Sequence, residues 1–245
     1  MLSCLLLAAL SGCSKDLKTY DGSPTIYFIP AVEAPPTNTQ APLFDSTIVT
    51  FAYVKAEQKD SILRVPVKVS GPVSPVDRTY ALKVQDTSSG QVGVHYDFVK
   101  PFIIKAGKTI DTIYLLLHRT PDMLLKTFSI NLELQANEHF DLGLPWKKYS
   151  TYLLSTIVHR VKVDDILSTP KYWLAAYLGD FSRRKLYLMC DLLEIPIDKL
   201  NTSVSVAETV FYGKFMQRYL NEQRALGNTI KEENGNDMVM GALSQ

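Results

Sequence analysis

Cys13 is the residue whose setting most plainly asks for chemistry. It closes Leu10-Ser11-Gly12-Cys13, behind the short apolar run Leu5-Leu6-Leu7-Ala8-Ala9. Small side chains at Ser11 and Gly12 let a peptidase reach the bond before the cysteine. Apolar run, small residues and cysteine stand in the order of a secretory signal that is cut and then acylated. The Cys13 thiol would carry diacylglycerol and its freed amine a further acyl chain. One chain alone holds a membrane only marginally, at about 0.8 kcal/mol per buried methylene, so the several chains together make the anchor. The apolar run is too short to span a bilayer as a permanent helix. Nothing from Met1 to Leu10 is charged, whereas signal peptides open with a basic segment; that segment is expected upstream of Met1.

Other reactive types give less. A tryptophan face matches the apolar face of a pyranose ring. Trp146 sits in Leu144-Pro145-Trp146-Lys147-Lys148, read as a loop, and is the candidate ligand-binding residue; Trp173 shares an apolar helical face and reads as core. His95 and Asp97, two apart, could share a strand face and bind a metal or move a proton, but a lone pair is more often a hydrogen-bonded strand end. Asp164 and Asp165 are adjacent, so in a strand they point to opposite faces; they read as an interdomain turn. Cys4 leaves with the signal and Cys13 is acylated, leaving Cys190 alone in an apolar helical pattern, a buried structural thiol. The sequence has no phosphate-cradling glycine loop, no G-x-S-x-G elbow and no zinc-protease helix motif. No catalytic residue, metal ligand or cofactor is expected, and the chain reads as a non-enzyme. A hydrolase built from carboxylates far apart in sequence is the weakest rival.

These residues need elements to hold them. Residues 1–12 are the signal peptide, and 13–45, with Pro24, Pro30, Pro35, Pro36 and Pro42, form a semi-rigid tether from which Thr25-Ile26-Tyr27-Phe28-Ile29 stands out as a strand. From 46 to 164 the dominant period is two. Leu63, Val65, Val67 and Val69 alternate with polar neighbours, as do Tyr80, Leu82 and Val84, then Phe128, Ile130, Leu132 and Leu134. Ile113-Leu115-Leu117 and Val49-Phe51-Tyr53 behave alike, and a last strand covers about 149–163. Six or more strands separated by Gly, Pro and Ser turns, with no helices between, predict an antiparallel β-sandwich. At 165–230 the period becomes helical. Thr169-Pro170 opens one helix, Ser182 caps a second, and Ser205 with Glu208 forms a capping box for a third that ends near Gly227. Residues 231–245 read as a flexible polar tail. The fold class is thus mainly β with a small helical carboxy-terminal region.

The 245-residue chain is 46% hydrophobic with net charge +1, a globular composition long enough for two modest domains. Near-neutral charge argues against nucleic acid as a partner.

Several short motifs then add up to a family. Asp45-Ser46, Asp77-Arg78-Thr79-Tyr80, Gly93-Val94-His95-Tyr96-Asp97-Phe98, Arg119-Thr120-Pro121-Asp122-Met123 and Asn137-Glu138-His139-Phe140 stand in one order. Tyr20-Asp21-Gly22, Ile26-Tyr27-Phe28 and Leu178-Gly179-Asp180-Phe181-Ser182 with Lys185 accompany them. Together they resemble a Bacteroidetes lipoprotein family known as a domain of unknown function (DUF4843). Ser14-Lys15-Asp16 resembles the charged tags after the acylated cysteine of Bacteroidetes surface lipoproteins. Gly93–Phe98 followed by Ala106-Gly107 resembles the hairpin of Calx-β domains, immunoglobulin-like sandwiches that bind calcium or adhere, but without their clustered acidic ligands. The resemblance implies a location and company more than an activity. That location is the outer membrane, anchored through Cys13 and displayed at the cell surface. The company is a TonB-dependent transporter and a starch-utilisation-type binding lipoprotein taking up a nutrient, a glycan by expectation. The alternative is an adhesion or envelope-structural module without a small ligand.

Overall fold

The computed structural model describes residues 22–32, 45–55, 57–149 and 151–245. Cys13 and most of the proline-rich stretch lie outside the described residues. In chain order the strands are β1 (Thr25–Phe28), β2 (Ser46–Thr50), β3 (Asp60–Ser70), β4 (Arg78–Thr79), β5 (Ala81–Val84), β6 (Tyr96–Phe98), β7 (Ile103–Ile104), β8 (Ile110–His118), β9 (Phe128–Gln135), β10 (Asp141–Leu142), β11 (Trp146–Tyr149), β12 (Tyr152–Ser155) and β13 (Val158–Asp164). One sheet runs β10-β1-β3-β8-β6 and the other β2-β13-β9-β5, while β11-β12 and β4-β7 are two-stranded ribbons.

The two larger sheets face each other across one apolar core, a β-sandwich. Val65, Val67 and Val69 of β3, Ile113, Leu115 and Leu117 of β8, and Phe128, Ile130, Leu132 and Leu134 of β9 all point inward and are buried. Their polar alternates face out, as a period of two requires. Between these strands, pairing among the described residues is antiparallel except where β1 lies parallel to β10 and β2 parallel to β13.

β1 is the strand singled out inside the proline-rich stretch. It is inserted between β3 and β10, with Ile26 and Phe28 fully buried, so the sandwich draws a strand from the segment assigned to the tether. Pro24 and Pro30 sit just outside it, where a missing donor breaks no ladder bond. The expected last strand is two strands. Thr156 donates its amide to Pro145 O (3.0 Å) and its hydroxyl to Leu144 O (2.6 Å). That turn sends β12 to the ribbon and β13 to the sheet.

Among the described residues the α-helices are α1 (Ile29–Val32), α2 (Ala175–Leu178), α3 (Arg183–Leu193), α4 (Lys199–Thr202) and α5 (Val206–Ala225). The Ser182 cap accepts from Lys185 N, and the Ser205–Glu208 capping box is complete. The helix expected from Thr169-Pro170 is a turn followed by the single turn α2, because Gly179 (φ 72°) ends it and Trp173 Nε1 donates back to Gly179 O at 2.9 Å. Trp173, Leu186, Met189, Cys190, Tyr212, Met216 and Leu220 form a second apolar core, so Trp173 and Cys190 are structural as expected. Burial pushes the Cys190 thiol up to about 12, away from thiolate chemistry.

Residues 231–245 are not a loose tail. Met238 and Met240 are each 1% exposed within the helical core. Met240 N donates to Gln217 Oε1 (3.1 Å) and Gly241 N to Tyr177 O (2.9 Å). A Cβ on Gly241 would stand 2.3 Å from Ala176 O, so only glycine permits this approach. The polar run that suggested fraying is a tight turn, closed by the Lys231–Asp237 bridge.

The two cores are tied at Asp165, whose side chain is 5% exposed. Arg119 grips it with two bonds, Nε to Oδ2 at 2.8 Å and Nη2 to Oδ1 at 3.0 Å. Arg183 adds Nη1 to Oδ1 at 2.9 Å and donates Nη2 to the Asp165 carbonyl. Tyr187 OH reaches across from α3 to Ala52 O at 2.9 Å. Asp164 turns the other way to accept from Thr127 Oγ1, so the adjacent acids diverge; in place of the expected turn, Asp164 ends β13 and Asp165 is the first residue beyond it.

Candidate functional site

Trp146 does not lie in a loop. It opens β11, pairing with Ser155 of β12. Pro145 stands just before the strand, where proline is tolerated. Trp146 is 48% exposed and forms one wall of a groove of about 260 Å³. Thr25, Ile26 and Tyr27 of β1 line it, with Gly143 and Leu144 on one flank and Lys147 and Thr156 on the other. The groove exists because β10 diverges from β1 after Leu142, while Phe28 N takes up Thr156 O at 2.8 Å. Residues 143–156 therefore leave the sheet and return to it, and the ribbon between them carries Trp146.

An indole face, a phenol and threonine hydroxyls around a small groove suit a ligand with an apolar face and a hydroxyl rim. Tyr27 was not singled out as a site residue, although the alternation of Ile26-Tyr27-Phe28 already placed it on the outward side. Gly143 and Thr156 carried no such signal, since only the departure of β10 brings them beside β1.

The other candidates resolve differently. His95 and Asp97 do not act together. His95 precedes β6 and its ring packs on Phe128, 3.9 Å between centroids, with Nδ1 accepting from Gln91 N (3.0 Å) and Nε2 3.3 Å from Asp122 Oδ2. Asp97 turns instead to His118. His118 Nδ1 lies 2.7 Å from Asp60 Oδ1 and its Nε2 3.0 Å from Asp97 Oδ2. The hydrogen bonds to Asp60, then to Asp97, hold His118 above the usual histidine value. With each nitrogen committed to a different carboxylate, this is a cationic clasp joining the ends of β3, β6 and β8. A raised value means that the clasp stabilises the fold fully below about pH 6.5 and loses that effect as pH rises through the folded value. Wild type should therefore lose its Tm advantage over His118→Asn between mildly acidic and alkaline pH. A difference that stays flat across that range would remove the clasp.

His159 is the opposite case. It is 1% exposed, stands 2.9 Å from Thr47 Oγ1, and burial pushes it down to about 4, so it is a neutral core group. Among the described residues, no group of three or more His, Cys, Asp or Glu side chains is placed to hold a metal ion.

Comparison with known proteins gives a family and distant structural likenesses. The apo form of the Calx CBD1 domain aligns with 13% identity and a TM-score of 0.37 over 60% of this chain and 100% of that one. CBD12 from CALX1.2 aligns with 13% identity and a TM-score of 0.35 over 57% of this chain and 44% of that one. A protein of unknown function from Bacteroides ovatus aligns with 17% identity and a TM-score of 0.37, covering 56% of this chain and 43% of that one. The chain thus spans less than half the length of the latter two. No curated protein matches it. The family model described as Domain of unknown function (DUF4843) matches residues 20–195, and the chain belongs to that family.

Proposed function

We propose that this protein is a non-enzymatic, lipid-anchored component of the outer membrane that holds part of a glycan in the Trp146 groove on behalf of a nutrient-uptake system. The observation that carries the reading is the half-exposed Trp146, held rigidly by a strand pair against the outward side of β1. Sugar recognition needs a flat apolar surface fixed beside hydroxyl partners. Fixing it in advance lowers the ordering cost of a weak ligand. At about 260 Å³ the groove falls below the roughly 300–1,000 Å³ of pockets that enclose a drug-sized ligand. It suits one ring of a longer chain that otherwise stays in solvent.

Attachment falls to Cys13, which follows a short apolar run and two small residues. A TonB-dependent transporter and a starch-utilisation-type binding lipoprotein are the partners this reading assigns. Cys13→Ala should move the protein from the membrane fraction to the soluble fraction with its Tm unchanged; retention in the membrane would count against the anchor.

The groove is tested by calorimetric titration of the mature protein with a panel of oligosaccharides. At least one should bind saturably, and Trp146→Ala should weaken it by about tenfold or more, without lowering Tm. If no oligosaccharide binds, the adhesion or envelope-structural reading takes its place.

A further inference from the structure

A larger groove, of about 580 Å³, lies where the sandwich meets the helical region, and it shares no lining residue with the Trp146 groove. Besides Leu167 and Phe181, its apolar lining includes three exposed aliphatic side chains from distant parts of the chain. Leu124 ends the 3-10 turn Pro121–Leu124 before β9, Ile166 follows β13, and Val239 belongs to the carboxy-terminal segment. They are 46%, 42% and 45% exposed. Three large aliphatic groups left half in water in one concavity mark an interaction surface more than a packing defect.

The charges around it are not balanced. The two lining cations are used internally. Arg183 is committed to Asp165. Lys185 is 1% exposed, 3.0 Å from Glu232 Oε1, and donates to Asp180 O at 2.7 Å. Asp237 pairs with Lys231. That leaves Asp180, whose carboxylate has no ion-pair partner among the described residues, and Glu233, whose Oε1 accepts only the backbone amide of Arg184 at 2.6 Å. Counted over the lining, four acids (Asp180, Glu232, Glu233 and Asp237) stand against two cations (Arg183 and Lys185), so the groove is net negative beside its apolar surface.

We infer that this groove docks a cationic segment of a partner protein, one that places an aliphatic or aromatic side chain on Leu124, Ile166 and Val239 and a lysine or arginine on Asp180 and Glu233. The pairing follows from the charge complement: an acidic segment would meet two unpaired carboxylates, and a wholly polar one would leave the floor unfilled. The groove needs both the sandwich and the helical region in place. One wall, Leu124 to Lys185, lies within the residues matched by the family model, and the other, Glu232 to Val239, lies beyond them.

The test uses the full mature chain and a short fluorescein-labelled peptide carrying leucines flanked by lysines, followed by fluorescence anisotropy. Two control peptides replace the lysines by glutamate or the leucines by serine. The lysine–leucine peptide should bind about tenfold or more tightly than either control, and more weakly as salt rises. Asp180→Lys and Leu124→Ser, both at exposed positions and each checked for unchanged circular dichroism, should each weaken it about fivefold or more. Absence of measurable binding, equal binding of the glutamate peptide, or wild-type affinity in both folded variants would overturn the proposal.

Discussion

Asp165→Ala should lower stability by about 3–5 kcal/mol, the range for breaking a buried ion pair by removing one partner. The carboxylate is almost fully enclosed and takes three side-chain bonds from Arg119 and Arg183. Alanine leaves two guanidinium groups facing each other in a confined space, where their repulsion is poorly screened. At about 2–4 °C per kcal/mol for a chain of this size, Tm should fall by roughly 6–20 °C. The shape of the transition should change as well. Asp165 is the main polar tie between the sandwich core and the helical core, so its loss should split one melting event into two. Asp165→Asn keeps the volume but loses the charge, and should lie between wild type and alanine. A Tm within a degree or so of wild type for the alanine variant would mean that the two cores hold together without this tie.

Phe28→Ala should cost about 3–5 kcal/mol, the usual price of emptying a buried phenylalanine site. The residue is fully buried in the sandwich, and its amide bonds Thr156 O. The expectation is sharp because the same residue in a solvated tether would cost nothing. A chemical denaturation curve with a lower midpoint and unchanged slope would assign the loss to the native sandwich. A midpoint equal to wild type would detach β1 from the core. The loss should also reach the Trp146 groove, since Ile26 and Tyr27 on the same strand line it.

The sheets were legible because their inward positions follow period two without interruption. Phe128, Ile130, Leu132 and Leu134 read as buried alternates from their spacing alone, and they are buried. The helix starts at Ser182 and Ser205 were equally plain, because capping is a local matter between residues three apart. What failed was non-local. Trp146 and Lys148 looked like loop residues because half their pattern resides in β12. Residues 231–245 read as a polar tail because the groups that order them, Gln217 of α5 and the Tyr177 carbonyl of α2, lie well upstream. The groove is partly readable, through Trp146 and the outward position of Tyr27. Its existence depends on where β10 leaves β1, and no local pattern records that.

The position of β1 has a mechanical consequence. A load applied to the chain ahead of β1 passes into this strand. An edge strand would be peeled away one hydrogen bond at a time. β1 is bonded on both sides, to β3 and to β10, and is held by two side chains sunk into the core. Pulled along its own axis, it must break those bonds together, in shear. A body pulled through this strand is held by bonds that must fail together, so β1 acts as its fastening.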